Sequence, residues 1–404
     1  MQSYRMLAAL ALMALAFSRA PANAASICGG EASDDTACLQ DMIKAGGNVV
    51  LPANRIFRIT KTLQVGPNTV LNGHGSKISS DLPIGILSIS GNNATIRDLK
   101  LESLNDTSAR DRVAIMVAPG VSNLEIYNND ISGYFGIGIM IAGGRQHDIK
   151  IVKNTIDPGR GKIGFGILVN AVKLSEDPAV YPHNIAIVSN TVTNVSSDSV
   201  EINSPVGSSR GYPATTNNIV IQNNILSAPN SGQPFAGFCV GIAGVYRVKI
   251  SGNRMSNCKW QGIHIEDNSS QIDIVENTIS KTIGPVGDQT GGWRGHSSGI
   301  FALNSNNIRI LGNTVRDTAD HGIEMGYNPK GMNTEVTIAG NMIINAGNAG
   351  IVFAGSSNAD VDSTVGAANG YRANIITNSG QVDIAACVRL RGGQGRRAYC
   401  SRRR

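Results

Sequence analysis

One phrase, hydrophobic-x-hydrophobic-x-x-Asn-x-hydrophobic, returns along most of this chain. It reads LEIYNNDI at 124–131, IKIVKNTI at 149–156, IAIVSNTV at 185–192 and IVIQNNIL at 219–226. It continues as VKISGNRM at 248–255, IDIVENTI at 272–279, IRILGNTV at 308–315 and VTIAGNMI at 336–343. The shared asparagines are Asn129, Asn154, Asn190, Asn224, Asn253, Asn277, Asn313 and Asn341, at spacings of 24 to 36 residues. A second phrase falls between the copies: GIMIAG at 138–143, GILVNA at 166–171, SVEINS at 199–204, GIHIED at 262–267, GIFALN at 299–304, GIEMGY at 322–327 and GIVFAG at 350–355. Both phrases alternate with period two, so they are strands with one buried face. The same order of phrases returns each time, which rules out a run of hairpins. Like stacks on like only in a parallel β-helix.

The expected fold is therefore all-β, a right-handed parallel β-helix of about ten coils. Inward Ile, Val and Leu pile into one core. The asparagine column falls at a strand-to-strand bend, where Asn tolerates the left-handed conformation and can bond a neighbouring backbone group. A chain with 47 glycines and only 5% aromatic residues suits many short, tightly turned strands. Asp34-Asp35-Thr36 followed by CLQDMI at 38–43 predicts a short helix that caps the open end of the core.

Residues 1–24 read as a secretion signal, with Arg5, an apolar run from Leu7 to Phe17 and the small-x-small site Ala22-Asn23-Ala24. No apolar run is long enough to span a bilayer. The expected organisation is 1–24 signal peptide, 25–66 N-terminal cap and first strands, 67–388 β-helix, and 389–404 an Arg-rich tail; the expected location is secreted or periplasmic. The six cysteines fall in three local pairs, Cys28/Cys38, Cys239/Cys258 and Cys387/Cys400, which an oxidising compartment would let close as disulfides; spacing alone leaves other pairings open. The net charge of +6 misleads. Of 35 Lys and Arg, two lie in the signal and seven in the tail, which leaves 26 against 29 acids in the body. The tail can hold the protein near anionic envelope polymers.

The run SDDTACLQDMIKAGGNVVLPANRIFRI, with the NTI and GI phrases, resembles the pectate-lyase-like β-helix superfamily, over about residues 31–356. That superfamily includes lyases, hydrolases, epimerases and non-catalytic spikes, so the resemblance implies the fold and leaves the activity open. Asn72-Gly73-His74-Gly75 resembles the Gly-His-Gly of polygalacturonases, but in the first coils. Ser197-Asp198-Ser199 sits where those hydrolases carry paired aspartates, and only Asp198 is present.

Insertions flank the GI strand on both sides, so the cleft is expected over it. Its third positions are outward: Met140, Leu168, Glu201, Gly241, His264, Phe301, Glu324 and Val352. So are its fifth: Ala142, Asn170, Asn203, Ala243, Glu266, Leu303, Gly326 and Ala354. Polar residues concentrate in the middle coils. Candidate catalytic residues are Glu201, His264, Glu266, Glu324, Asp320 and His321; candidate substrate contacts are Asn203, Asp267, Trp293, Arg294 and Tyr327. Paired carboxylates suit glycoside hydrolysis. A histidine beside acids suits proton abstraction next to a uronate, in a lyase or, less favoured, a C5-epimerase. That route needs a cation, from Arg294, Arg210 or a bound divalent metal. Otherwise no cofactor or protein metal site is expected. The expected partner is a polysaccharide, with no nucleic acid; the oligomeric state is open. The alternative is a binding or surface-structural β-helix without turnover.

Overall fold

The computed structural model describes Cys28 and residues 34–391 and 396–399, apart from 108–111, 159–163, 172–174, 176, 205–215, 230–236, 285–296, 329–330, 354–363, 366–369, 373, 380–387 and 392–395. Each coil contributes one strand to each of three sheets. Sheet A runs through 12 parallel strands from Gly47–Val50 to Thr364–Val365, and sheet B through 12 from Ile56–Arg58 to Ile375–Thr377. Sheet C begins at Leu63–Val65 and carries the GI strands as far as Ile351–Phe353. The chain is thus a parallel β-helix, with four more rungs than the eight copies of the repeated phrase reveal. The extra rungs lie at the ends, where the strands no longer spell that phrase.

Register makes the stacking strict. Ile149 pairs with Ile185 and Ile185 with Ile219, while Ile151, Ile187 and Ile221 stack alongside. These side chains are at most 1% exposed and belong to one core that runs the length of the solenoid. The capping helix spans Thr36–Lys44 and buries Leu39 and Ile43 over the core's open end. Its N-terminus is closed by Asp34, not by the neighbouring Asp35. Asp34 accepts from the Thr36 amide at 3.0 Å, and bonds from the Thr36 and Thr60 hydroxyls hold its carboxyl down to about 2. Asp35 accepts instead from the Arg58 amide at 3.0 Å, tying the helix to sheet B.

The eight asparagines form one buried column. Each from Asn154 to Asn341 accepts from the backbone amide of the preceding asparagine at 2.8–3.0 Å, and Asn129 accepts from the Leu99 amide at 3.1 Å. Asn374 extends the ladder by one rung. One expectation is corrected here. The left-handed residue is the one before the ladder asparagine: Asn128, Lys153, Ser189, Asn223, Gly252, Glu276, Gly312 and Gly340 all have φ between 53° and 65°. The preceding residue makes the corner, and the asparagine side chain satisfies the backbone groups that the corner leaves open.

Two of the three expected disulfides are present. Cys28 and Cys38 join the cap to the chain before it, with Cα atoms 5.9 Å apart. Cys239 and Cys258 join successive coils at 5.4 Å, both fully buried. Cys387 and Cys400 lie outside the described residues. The Cys239–Cys258 bridge closes a 19-residue separation, and a loop of that size is worth about 3 kcal/mol on the chain-entropy account. Denaturant unfolding of a Cys239→Ala/Cys258→Ala variant is expected to show a loss of that order; an unchanged midpoint would mean that the bridge adds nothing.

Candidate functional site

The outward columns of sheet C keep the expected register. Met140, Leu168, Glu201, Gly241, His264, Phe301, Glu324 and Val352 are paired rung to rung. The rungs are about 4.8 Å apart, so Glu201 and His264 stand about 10 Å apart at the backbone, as do His264 and Glu324. Early in the column the outward face is apolar. Met116 and Met140 pack with Val113, Ile137, Phe165 and Leu168 in a cluster separate from the core.

Glu201 begins the polar stretch. Its Oε1 accepts from Asn203 Nδ2 at 3.3 Å. Its carboxyl is also hydrogen-bonded to that of Asp198, three residues earlier at the turn into the strand. Asp198 is 4% exposed, and its Oδ1 accepts from the backbone amides of Gly237 and Phe238 in the next coil, each at 2.7 Å. Burial, and then the Glu201 charge, push the Asp198 carboxyl well above the ordinary carboxylate range, against the pull of the two amides. Two carboxyl groups bonded to each other need a proton between them, and burial keeps that proton in place. Glu201, the less buried partner, is the one that can meet a ligand.

The sign of the resulting pH dependence is fixed. A carboxyl whose folded pKa lies above its ordinary 3.8 favours the fold at low pH and loses that contribution as pH rises through the folded value. The stability of Asp198→Asn relative to the parent should therefore climb with pH above the ordinary aspartate range, since Asn can still accept both amides. Melting curves taken across acid to neutral pH that run parallel for the two proteins would show that the pair does not share a proton.

His264 lies on the outward column as expected, but it is covered. It is 7% exposed, and its ring is sandwiched between Phe238, with centroids 4.2 Å apart and planes 8° apart, and Phe301 at 5.2 Å and 23°. Only its edge is free. Nε2 faces Glu266 Oε2 at 3.4 Å, and Nδ1 has no hydrogen-bond partner among the described residues. Gly241 makes room for the sandwich. A Cβ there would approach Phe238 Cδ2 to 3.2 Å and Glu201 Cγ to 3.9 Å, so the partly exposed Phe238 ring lies in the gap between Glu201 and His264.

The next coils are closed over. Glu324 is 2% exposed and accepts from the Ser298 hydroxyl at 2.6 Å. Asp320 and His321 sit together before that strand, with His321 Nε2 3.5 Å from Asp320 Oδ1. The Ala349 amide donates to His321 Nδ1 at 3.1 Å, which places the imidazole proton on Nε2, toward Asp320. Asp267 lies past the end of the Glu266 strand, in a left-handed turn. Tyr327 belongs to the strand Ile323–Asn328, its side chain outside the described set. Trp293, Arg294 and Arg210 lie outside the described residues. Sequence reading missed Phe238 altogether, because it closes an insertion and belongs to neither phrase. The signal available was an aromatic residue immediately before Cys239 and beside the only glycine in the third-position column.

No protein-family model and no curated protein matches the chain. Solved structures do match. PfbA, a surface adhesin of Streptococcus pneumoniae, is 15% identical, with 92% of each chain covered and a TM-score of 0.61. The catalytic domain of Agl-KA is 14% identical over 92% of this chain and 69% of its own, with a TM-score of 0.65. The catalytic unit of a GH87 α-1,3-glucanase from Streptomyces thermodiastaticus is 16% identical over 88% of this chain and 67% of its own, with a TM-score of 0.56. The shared fold is the right-handed parallel β-helix. At these identities the likeness concerns the fold alone. Among the described residues no helix is long and apolar enough to cross a membrane.

Proposed function

We propose that this protein is an extracytoplasmic carbohydrate-active enzyme that hydrolyses a polysaccharide over the middle rungs of sheet C. The observation that carries the reading is the Asp198–Glu201 pair. A proton held on the buried Asp198 leaves the charge on the more exposed Glu201, the form in which a carboxylate serves as one of the two groups of glycosidic bond cleavage. Glu201 is the catalytic residue in this reading, and Asp198 is a positioning residue that sets its protonation. The exposed part of the Phe238 ring offers a face on which a sugar can stack. His264, with both faces covered, positions Phe238 and Glu266. Support also comes from solved β-helix structures that include a GH87 α-1,3-glucanase in complex with nigerose. The two disulfides favour an oxidising location.

A second reading is polysaccharide binding without turnover. The burial of His264, Glu324 and Asp320 favours it, because groups sealed from solvent are poor proton donors to a polymer. Incubation of mature protein with a polysaccharide panel separates the possibilities. New reducing ends without an unsaturated ultraviolet chromophore are expected. The chromophore would replace hydrolysis with elimination, and binding without products would establish the second reading.

A further inference from the structure

The outward face of sheet A carries a groove of about 470 Å³ that plays no part in the site above. Its floor is the register column Val220, Lys249, Asp273 and Arg309. On neighbouring rungs the same column holds Ala186 and Thr337, so the charged run of Lys249, Asp273 and Arg309 is set apart from Lys150 and Glu125 further along the column. Arg309 forks onto the Asp273 carboxylate and is neutralised by it. Lys249 and Arg247 are exposed and form no ion pair among the described residues.

The backbone gives the second observation. The residue at or just before the start of successive sheet A strands is left-handed, and on most rungs it is Asn or Asp, as at Asn93, Asn123, Asp148, Asn184, Asn218 and Asn307, with Glu335 on the rung after. Those types tolerate the conformation best. Their side chains also bond from rung to rung, Asn93 to Asn68 at 2.9 Å, Asn123 to Asn93 at 2.9 Å, Asn184 to Asp148 at 3.0 Å and Asn218 to Asn184. The ladder breaks at the groove. Arg247, at φ 57°, and Gln271, at φ 55°, occupy it there, with only a long Nε–Oε1 contact of 3.4 Å between them. Arginine and glutamine at this position forgo the amide-to-amide bonds that Asn makes on earlier rungs, and their side chains line the groove instead. The Arg247 guanidinium lies over the Tyr246 ring, 5.1 Å from its centroid, which fixes its direction.

We propose that this groove binds an acidic polysaccharide, with Arg247 and Lys249 taking its anionic groups and Asn218, Gln271 and Asn307 its hydroxyls. Two cations with amides at their flanks suit a chain of sugars carrying carboxylate or sulfate groups. The body of the protein is otherwise slightly acidic, so the attraction is local to this face. The proposal stands apart from the sheet C reading, and either can fail without the other.

The test is an Arg247→Asn/Lys249→Thr variant of the full chain. Asn suits the left-handed position and can rejoin Asn218, so the variant is expected to melt at or above the parent temperature. Binding is measured to immobilised polygalacturonate, dextran sulfate and neutral dextran at low and high salt. The parent is expected to be held by an acidic polymer and released by salt, with the variant's affinity lower by roughly tenfold or more. Retention by polygalacturonate alone assigns carboxylate sugars, by dextran sulfate alone sulfated ones, and by both any acidic glycan. The Arg-rich C-terminal tail is present in both proteins and cancels from the comparison. Equal retention of parent and variant, equal retention by neutral dextran, or no retention of the parent overturns the proposal. Should the double variant fail to fold, Lys249→Thr alone carries the same test at an exposed site.

Discussion

On the polysaccharide that the panel identifies, Glu201→Gln is expected to lower turnover by about 10²–10⁴-fold, the usual contribution of a positioned acid or base. The substitution is nearly isosteric, and the amide can still bond to Asp198 and Asn203, so the fold and ground-state binding should persist. Substrate affinity measured on the inactive variant should therefore stay close to the parent value. Glu324→Gln is the internal control. Glu324 is buried, is bonded to Ser298, and lies four rungs from Glu201, about 19 Å away at the rung spacing. A single glycosidic bond cannot span that distance, so Glu324→Gln should change stability more than turnover. Full turnover by Glu201→Gln would place the active site elsewhere and remove the carboxyl pair from the mechanism.

The fold was legible in the sequence because its two governing patterns are local and repeated. A period of two marks each strand, and the recurrence of one asparagine per coil marks the stacking direction. The rungs at either end were not legible, because Leu63–Val65 and Ile375–Thr377 are short strands whose neighbours do not spell the phrase. The site was legible only as a column. Period-two alternation places Glu201, His264 and Glu324 on one face, but alternation says nothing of what covers that face. Burial of His264 depends on Phe238, which reaches it across a glycine from another coil. The Asp198–Glu201 contact was hidden for a related reason. Asp198 sits at a turn, outside the strand pattern, and is held by amides contributed 39 and 40 residues further on. The position of the left-handed residue at each corner was misassigned because asparagine fits both roles, the strained corner and the bonded step after it.

Asn253→Ala is expected to destabilise the protein by about 3–5 kcal/mol, since each buried polar group stripped of its partner costs about 1–3 kcal/mol. Asn253 is fully buried. Its Oδ1 accepts from both the backbone amide and the side-chain amide of Asn224 at 2.9 Å, and its Nδ2 donates to Ile221 O and Asn277 Oδ1 at 2.9 Å. Alanine leaves the backbone amide of Asn224 inside the solenoid with nothing to bond and strips Asn277 of a donor. The exposed ladder on the sheet A edge provides the contrast: Asn218→Ala removes a similar amide-to-amide bond where water can replace it, and should cost about 1 kcal/mol or less. Because each coil contacts only its neighbours, a defect in the middle of the column should also uncouple the two halves, and the single unfolding transition should broaden or split. A loss for Asn253→Ala no larger than that for Asn218→Ala would mean that the buried ladder records the corner geometry without stabilising it, and that the apolar stacks alone hold the coils in register.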